Sequence, residues 1–182
     1  MIHLIRHAEP AAGWGEHLDP GLSPLGKTQA DAAAQLLAAA SAKRIVTSPL
    51  ARCRETARPY EKLLESHARI DPAIGEIRTP PGIGDRALWL KGVMQGKWSD
   101  VPHDATLDAW RQGVLAAVSA CADDTAIFSH FVAINVLVGL LTGDDSVVIF
   151  KPGHASITKL RKTRSGGLEI VELGQEGALV LL

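Results

Sequence analysis

His3-Leu4-Ile5-Arg6-His7 decides the reading of this chain. Leu4 and Ile5 form an apolar run that is short and closely bounded, which reads as a buried strand over His3–Arg6. The strand reaches full depth almost at the first residue, which places it near the centre of a sheet. It also delivers an arginine and a histidine, side by side, to its carboxyl end. An arginine on a central apolar strand needs a partner, because an unpaired buried charge is costly.

The elements around this strand follow in alternation. Residues 8–22 carry Pro10, Gly13, Gly15, Pro20 and Gly21 and read as a loop. Ser23 before Pro24 is an N-cap followed by proline at the first helical position, and an alanine-rich helix follows. Lys43–Thr47 is a second strand. Ser48-Pro49 opens a second helix that runs to about Leu64. Ala68–Asp71 is a short third strand. The stretch from Gly75 to Pro102 is the least regular. Asp104 caps a helix over Thr106–Ala122, with Leu107, Trp110, Val114, Leu115 and Val118 at helical spacing. Thr125–Ser129 is a strand and Val132–Leu141 a very apolar helix. Ser156–Leu160 and Leu168–Leu173 close the chain as two strands joined through Ser165-Gly166-Gly167, a hairpin signal. Alternating strands and helices predict an α/β fold: a single-domain three-layer sandwich over residues 1–182, with a mostly parallel central sheet and helices on both faces.

Composition narrows the function. The chain has 182 residues, 46% hydrophobic and 21% charged, which is a globular balance. Lys+Arg number 19 and Asp+Glu 20, so the net charge is -1. That gives no footprint for nucleic acid or a membrane surface. Cys53 and Cys121, both in helical stretches, fit a reducing compartment rather than a disulfide scaffold. The start of the chain lacks the long apolar region of a signal peptide, and no stretch has the length of a membrane span. A cytoplasmic location is expected. No His or Cys pair stands at metal-ligand spacing, so neither metal nor other cofactor is expected.

In such sheets, sites gather beyond the carboxyl ends of the strands. Here three strand ends carry reactive or phosphate-binding residue types: Arg6-His7, Thr47-Ser48-Pro49 with Arg52 a turn further on, and Ser129-His130. Two guanidiniums and two imidazoles together suit a doubly charged tetrahedral anion, since arginine presents paired donors to phosphate oxygens.

These residues resemble the histidine phosphatase superfamily, the phosphoglycerate-mutase-like enzymes. Leu4-Ile5-Arg6-His7-Ala8-Glu9 is similar to its Arg-His signature. Leu22-Ser23-Pro24-Leu25-Gly26, Ser48-Pro49-Leu50-Ala51-Arg52 and Phe128-Ser129-His130 resemble its later motifs, in order, and Glu76 stands where that family keeps a proton donor. The resemblance implies that His7 is a nucleophile forming a phosphohistidine. It implies that Arg6, Arg52 and His130 hold the phosphoryl oxygens. Glu76 would protonate the leaving oxygen and then activate water. His7, Glu76 and His130 are thus the catalytic candidates. The sequence departs from the pattern at Ala8 and at Phe131, where glycine is common. Its one asparagine, Asn135, lies beyond His130, so the asparagine found after the nucleophile in the mutases is absent. This counts against mutase activity.

The expected activity is hydrolysis of phosphomonoesters, with a phosphorylated small molecule or phosphoprotein as substrate. The alternatives are a phosphomutase and a non-catalytic module that binds phosphorylated ligands. His3, His67, His103 and His154 read as structural, and His17 as a possible pocket residue. Trp89, Trp98 and Trp110 read as packing. The oligomeric state is not legible.

Overall fold

The protein is described by a computed structural model, covering residues 1–13 and 17–177. β1 spans Ile2–Arg6 and lies inside a six-stranded sheet. α1 (Pro24–Ala39) and β2 (Arg44–Thr47) follow, then α2 (Ala51–Leu64) and the two-residue β3 (Arg69–Ile70). After a turn of 3-10 helix at Pro72–Ile74 come α3 (Arg86–Val93), α4 (Ala105–Ala120), β4 (Thr125–Ser129) and α5 (Phe131–Thr142). β5 (Ile157–Lys162) and β6 (Leu168–Glu172) end the sheet. The strand order is β3-β2-β4-β1-β5-β6. The first four of these run parallel, while β5 and β6 add an antiparallel margin.

Strand alternation sorts the core into two layers. Ile2, Leu4, Val46 and Ile127 face α4 and α5, where they meet Val114, Val118, Val132 and Val136. Ile5, Ile45, Ala126 and Phe128 face the other way, onto Ala34 and Leu37 of α1 and Ala57 and Tyr60 of α2. Successive strand residues point to opposite faces, so one short run feeds both layers. Each fully buried Ile, Leu or Phe contributes roughly 1.5–3 kcal/mol relative to exposure. α5 is apolar on every side because it is covered on every side: Phe131 through Gly139 are all buried. Asn135 is the exception in chemistry, and it is satisfied. Its Oδ1 accepts from the backbone N–H of Ile149 (2.8 Å) and Phe150 (3.1 Å), and its Nδ2 donates to the Phe131 carbonyl.

Register aligns the site. Arg6 pairs with Ser129 across β1 and β4, and Thr47 pairs with Phe128 across β2 and β4. The ladder continues one step further, with His7 N–H donating to Ser129 O (2.9 Å) and Ser48 N–H to Phe128 O (3.0 Å). His7, Ser48 and His130 therefore leave the same edge of the sheet together.

Most predicted elements hold, and the differences have local causes. Ser23 caps α1 as expected, its Oγ accepting from Gly26 N–H at 2.9 Å. α2 starts at Ala51 rather than at Ser48-Pro49, with Leu50 at the N-cap. The missing acceptor comes from the preceding loop: Asp19 Oδ1 takes the Ala51 N–H at 2.8 Å. The irregular stretch contains a helix, α3, capped by Asp85. Only Leu90 of that helix is buried, so it shows little apolar periodicity. Cys121 sits at the end of α4 and not within it. Both cysteines are free and buried. Among the described residues, no helix is long and apolar enough to cross a membrane.

Candidate active site

His7 leaves β1 buried, and its ring is oriented by its own backbone. Nδ1–H donates to the Ala8 carbonyl at 2.8 Å. That bond places the proton on Nδ1 and the lone pair on Nε2. Nε2 in turn accepts from Arg52 Nε–H at 3.3 Å. The buried Ala8 ties this turn to α2: its N–H donates to Thr56 Oγ1 at 2.9 Å, and the Thr56 hydroxyl donates to the Arg52 carbonyl. The small side chain at position 8 is fully buried, so methyl and fold are compatible there.

His130 lies edge-on to His7, with ring centroids 5.3 Å apart. Its Nε2 is 2.7 Å from Ser48 Oγ, and its Nδ1 is 3.9 Å from Glu76 Oε2. Cys53 Sγ lies 3.4 Å from the same Nε2. Burial pushes that thiol's pKa far up, so it packs rather than reacts.

Glu76 is presented by a braced segment. Trp110 Nε1–H donates to the Gly75 carbonyl (3.1 Å), and Ser129 O–H donates to the Ile74 carbonyl (2.8 Å). Trp110, read as packing, therefore also positions the carboxylate. Glu76 Oε1 accepts from the Ile77 N–H, while Oε2 is buried with no hydrogen-bond partner.

Arg6 is held from three sides. Nη1 donates to the Pro152 carbonyl (2.8 Å), Nη2 is 2.9 Å from His154 Nε2, and the guanidinium carbon sits 5.1 Å above the Phe131 ring. That ring supplies a cation–π contact. Phe131, the bulky residue after His130, does not narrow the cavity; it underlies Arg6. Arg6 Nε is buried without a partner.

A cavity of about 450 Å³ opens over these groups. His7, Arg52 and Glu76 line it, as do Arg78, Arg86 and His17. Pro10, Leu18, Pro20 and Pro49 give it an apolar wall. Arg6 and His130 lie behind the lining, and His130 is fully buried.

Charge and burial set the protonation states. Burial holds His7 well below the usual histidine range, and the neighbouring His130, Arg52 and Arg6 add to it. His130 is lowered by burial, then by Arg52 and Arg6. Burial pushes the Glu76 carboxyl up, opposed by its bond from Ile77 and by the nearby arginines. A neutral imidazole thus faces a carboxyl inclined to keep its proton. Among the described residues, no cluster of His, Cys, Asp and Glu could hold a metal ion.

All five candidates, Arg6, His7, Arg52, Glu76 and His130, come together at this edge. Sequence reading missed Ser48 as a partner of His130, and it missed Arg86 in the cavity wall. It also missed His154, which was read as structural yet touches Arg6 and lies 5.9 Å from His7 between ring centroids. His154 arrives on a loop distant in sequence, and nothing local marks it. Glu9 and Asp85, the neighbouring carboxylates, serve elsewhere: Glu9 accepts from Ser23 Oγ, and Asp85 caps α3.

The model of the histidine phosphatase superfamily, branch 1, matches residues 2–82. A probable phosphoglycerate mutase, GpmB, of Photorhabdus laumondii is 25% identical over 163 residues, covering 79% of this chain and 75% of its own. The fold recurs in a mycobacterial glucosyl-3-phosphoglycerate phosphatase (TM-score 0.76, 20% identity, 97% and 99% of the two chains covered). It recurs also in a phosphoserine phosphatase of Entamoeba histolytica (TM-score 0.73, 21% identity, 96% of each). YhfR of Bacillus stearothermophilus is a third such structure (TM-score 0.77, 20% identity, 94% and 95%).

Proposed function

We propose that this chain, whose residues 2–82 match the model of the histidine phosphatase superfamily, is a member of it and hydrolyses phosphomonoesters through a phosphohistidine on His7. One observation carries the reading. The His7 tautomer is fixed by Ala8, so that its Nε2 lone pair lies beside the Arg52 guanidinium in a cavity that Glu76 also lines. Nε2 attacks phosphorus, an N–P bond forms, and the ester P–O bond breaks. Arg52, Arg6 and His130 hold the phosphoryl oxygens. Such transfer needs chiefly positioning and charge stabilisation. Arg6 has its unpartnered Nε to offer. His130 must exchange its contact with Ser48 or Glu76 for one with the phosphoryl group.

Glu76 acts as the acid that protonates the leaving oxygen. Its raised pKa supports that role, because an acid must still hold its proton near working pH. The resulting carboxylate takes a proton from water, which attacks phosphorus, breaks the N–P bond and releases phosphate. The cavity fits a small phosphorylated molecule; a phosphoprotein would have to reach His7 through the same opening. Asn135 is committed to the backbone of α5 and of Ile149 and Phe150, so it supplies no phosphate contact. That favours hydrolase over mutase.

The test is turnover of an aryl phosphate by the purified chain, with trapping of the intermediate. Wild type is expected to hydrolyse it and to carry acid-labile, base-stable phosphate. His7→Ala should fold, lose turnover and carry none. Substantial phosphatase activity in that variant would overturn the proposal. A phosphoenzyme that persists in water, and discharges quickly only to a sugar or glycerate acceptor, would mark a mutase. A binding module would form no phosphoenzyme.

A further inference from the structure

Both terminal nitrogens of Arg6 are already taken, and neither partner is a carboxylate. Two neutral acceptors hold it: the Pro152 carbonyl on Nη1 and the His154 ring on Nη2. A carboxylate in either place would bind more strongly. It would also cancel the charge that a phosphoryl dianion needs. Neutral acceptors fix the direction of a guanidinium and leave its charge intact.

We infer that His154 is a positioning residue: its Nε2 lone pair, 2.9 Å from Arg6 Nη2, aims the guanidinium at the phosphoryl group. The inference rests on the phosphatase reading for the identity of that group. The orientation is possible only if Nδ1 carries the ring proton, since arginine has donors alone. Burial and Arg6 push the His154 pKa down to about 4, against a pull from Glu9, so the ring is neutral at pH 7.

The loop around His154 is built to hold it. Ala155 adopts φ +57, the left-handed region, which a residue with a Cβ enters at a cost. Its N–H meets the Arg6 carbonyl at 3.1 Å, which locks the loop to the end of β1. On the other side, Gly153 N–H donates to the Gln175 carbonyl (2.8 Å), and Gly177 N–H donates to the Lys151 carbonyl (3.0 Å). A Cβ on Gly153 would stand 3.1 Å from the Gln175 carbonyl oxygen and 3.4 Å from Gly177 N. The segment after β6 thus backs the loop that carries His154.

Vanadate affinity, measured calorimetrically on the full chain, tests this apart from turnover. A hydrogen bond to a charged group is worth about 1.5–3 kcal/mol, so His154→Leu should weaken vanadate binding roughly 10- to 100-fold. Glutamine places a neutral acceptor near the position of the histidine Nε2, and His154→Gln should recover most of the affinity. His154→Lys, a cation with donors only, should lose at least as much as leucine. A merely structural role predicts the reverse ranking, following thermal stability rather than acceptor chemistry. If leucine fails to fold, the glutamine and lysine variants decide. Wild-type affinity in a folded leucine or lysine variant overturns the inference. A wild type that binds vanadate without hydrolysing aryl phosphate would overturn the phosphatase reading and leave the positioning role standing. A wild type that binds no vanadate would overturn both.

Discussion

At the scale of single residues, the site is a division of protons. His7 and His130 are held well below the usual histidine range and Glu76 above the usual carboxylate range, all chiefly by burial. Glu76→Gln preserves shape but can neither give nor take the proton. General-acid help is worth roughly 10²–10⁴-fold, and it matters most for a poor leaving group. We expect Glu76→Gln to slow alkyl phosphates far more than aryl phosphates in single-turnover kinetics. Phosphoenzyme should accumulate with the aryl substrate. An equal effect on both, with no accumulation, would assign the proton to another group. The same substitution has a stability sign. The native carboxyl holds its proton to higher pH than the unfolded chain, whose reference value is 4.5. Above that value the unfolded state ionises first and is favoured, so stability falls as pH rises. Glu76→Gln should therefore raise the melting temperature at pH 7 and lose that advantage below pH 4.5, as read by calorimetry at the two pH values.

Elements carry the site through contacts that cross the chain. Helix α2 brings Arg52 to His7, yet its first N–H is capped by Asp19 from the preceding loop. A cap from so far away leaves no mark beside the helix, which is why Ser48-Pro49 reads as the start. Ser48 is instead hydrogen-bonded to His130. α3 shows the complementary failure: a mostly exposed helix has no apolar stripe to read. Asn135 gives a prediction for α5. Removing its side chain leaves the N–H groups of Ile149 and Phe150 without their acceptor. Each orphaned donor costs about 1–3 kcal/mol. Asn135→Ala should lose roughly 2–4 kcal/mol in chemical denaturation. Its kcat with an aryl phosphate should stay close to wild type while the chain is folded. A large fall in kcat at unchanged stability would place Asn135 in the site after all.

Over the whole molecule, four histidines held at low pKa bear on acid stability. The pKa values of His3, His7, His130 and His154 all lie below the reference of 6.5, His154 at about 4. For each, the unfolded chain takes up a proton before the native one does. Their contribution is complete above pH 6.5 and is lost progressively as pH falls from that value toward the lower native ones. The melting temperature should drop between pH 7 and pH 5, and His154→Gln should show a smaller drop than wild type. A flat profile over that range would mean that these rings are not held neutral by the fold.

Sequence by itself determined the sheet, the helices on both its faces and the convergence of Arg6, His7, Arg52 and His130, whereas Glu76 entered only through the family resemblance. Those features follow from local rules. A short apolar run closely bounded by polar residues reads as a buried strand. Strands that alternate with helices favour parallel pairing, as in β1 to β4, and parallel strands send their carboxyl ends to one edge. His7 and His130 were legible because they are the first residues past such ends. Tertiary structure alone decided the orientation of those side chains and the partners that fix it. The acceptor on Arg6 comes from the loop before β5, and the ring beneath it comes from Phe131. The brace on Glu76 comes from Trp110 and Ser129. Hydrogen-bond partners are set by distance in space, and distance in space between residues far apart in the chain is fixed only when strands pair and layers pack.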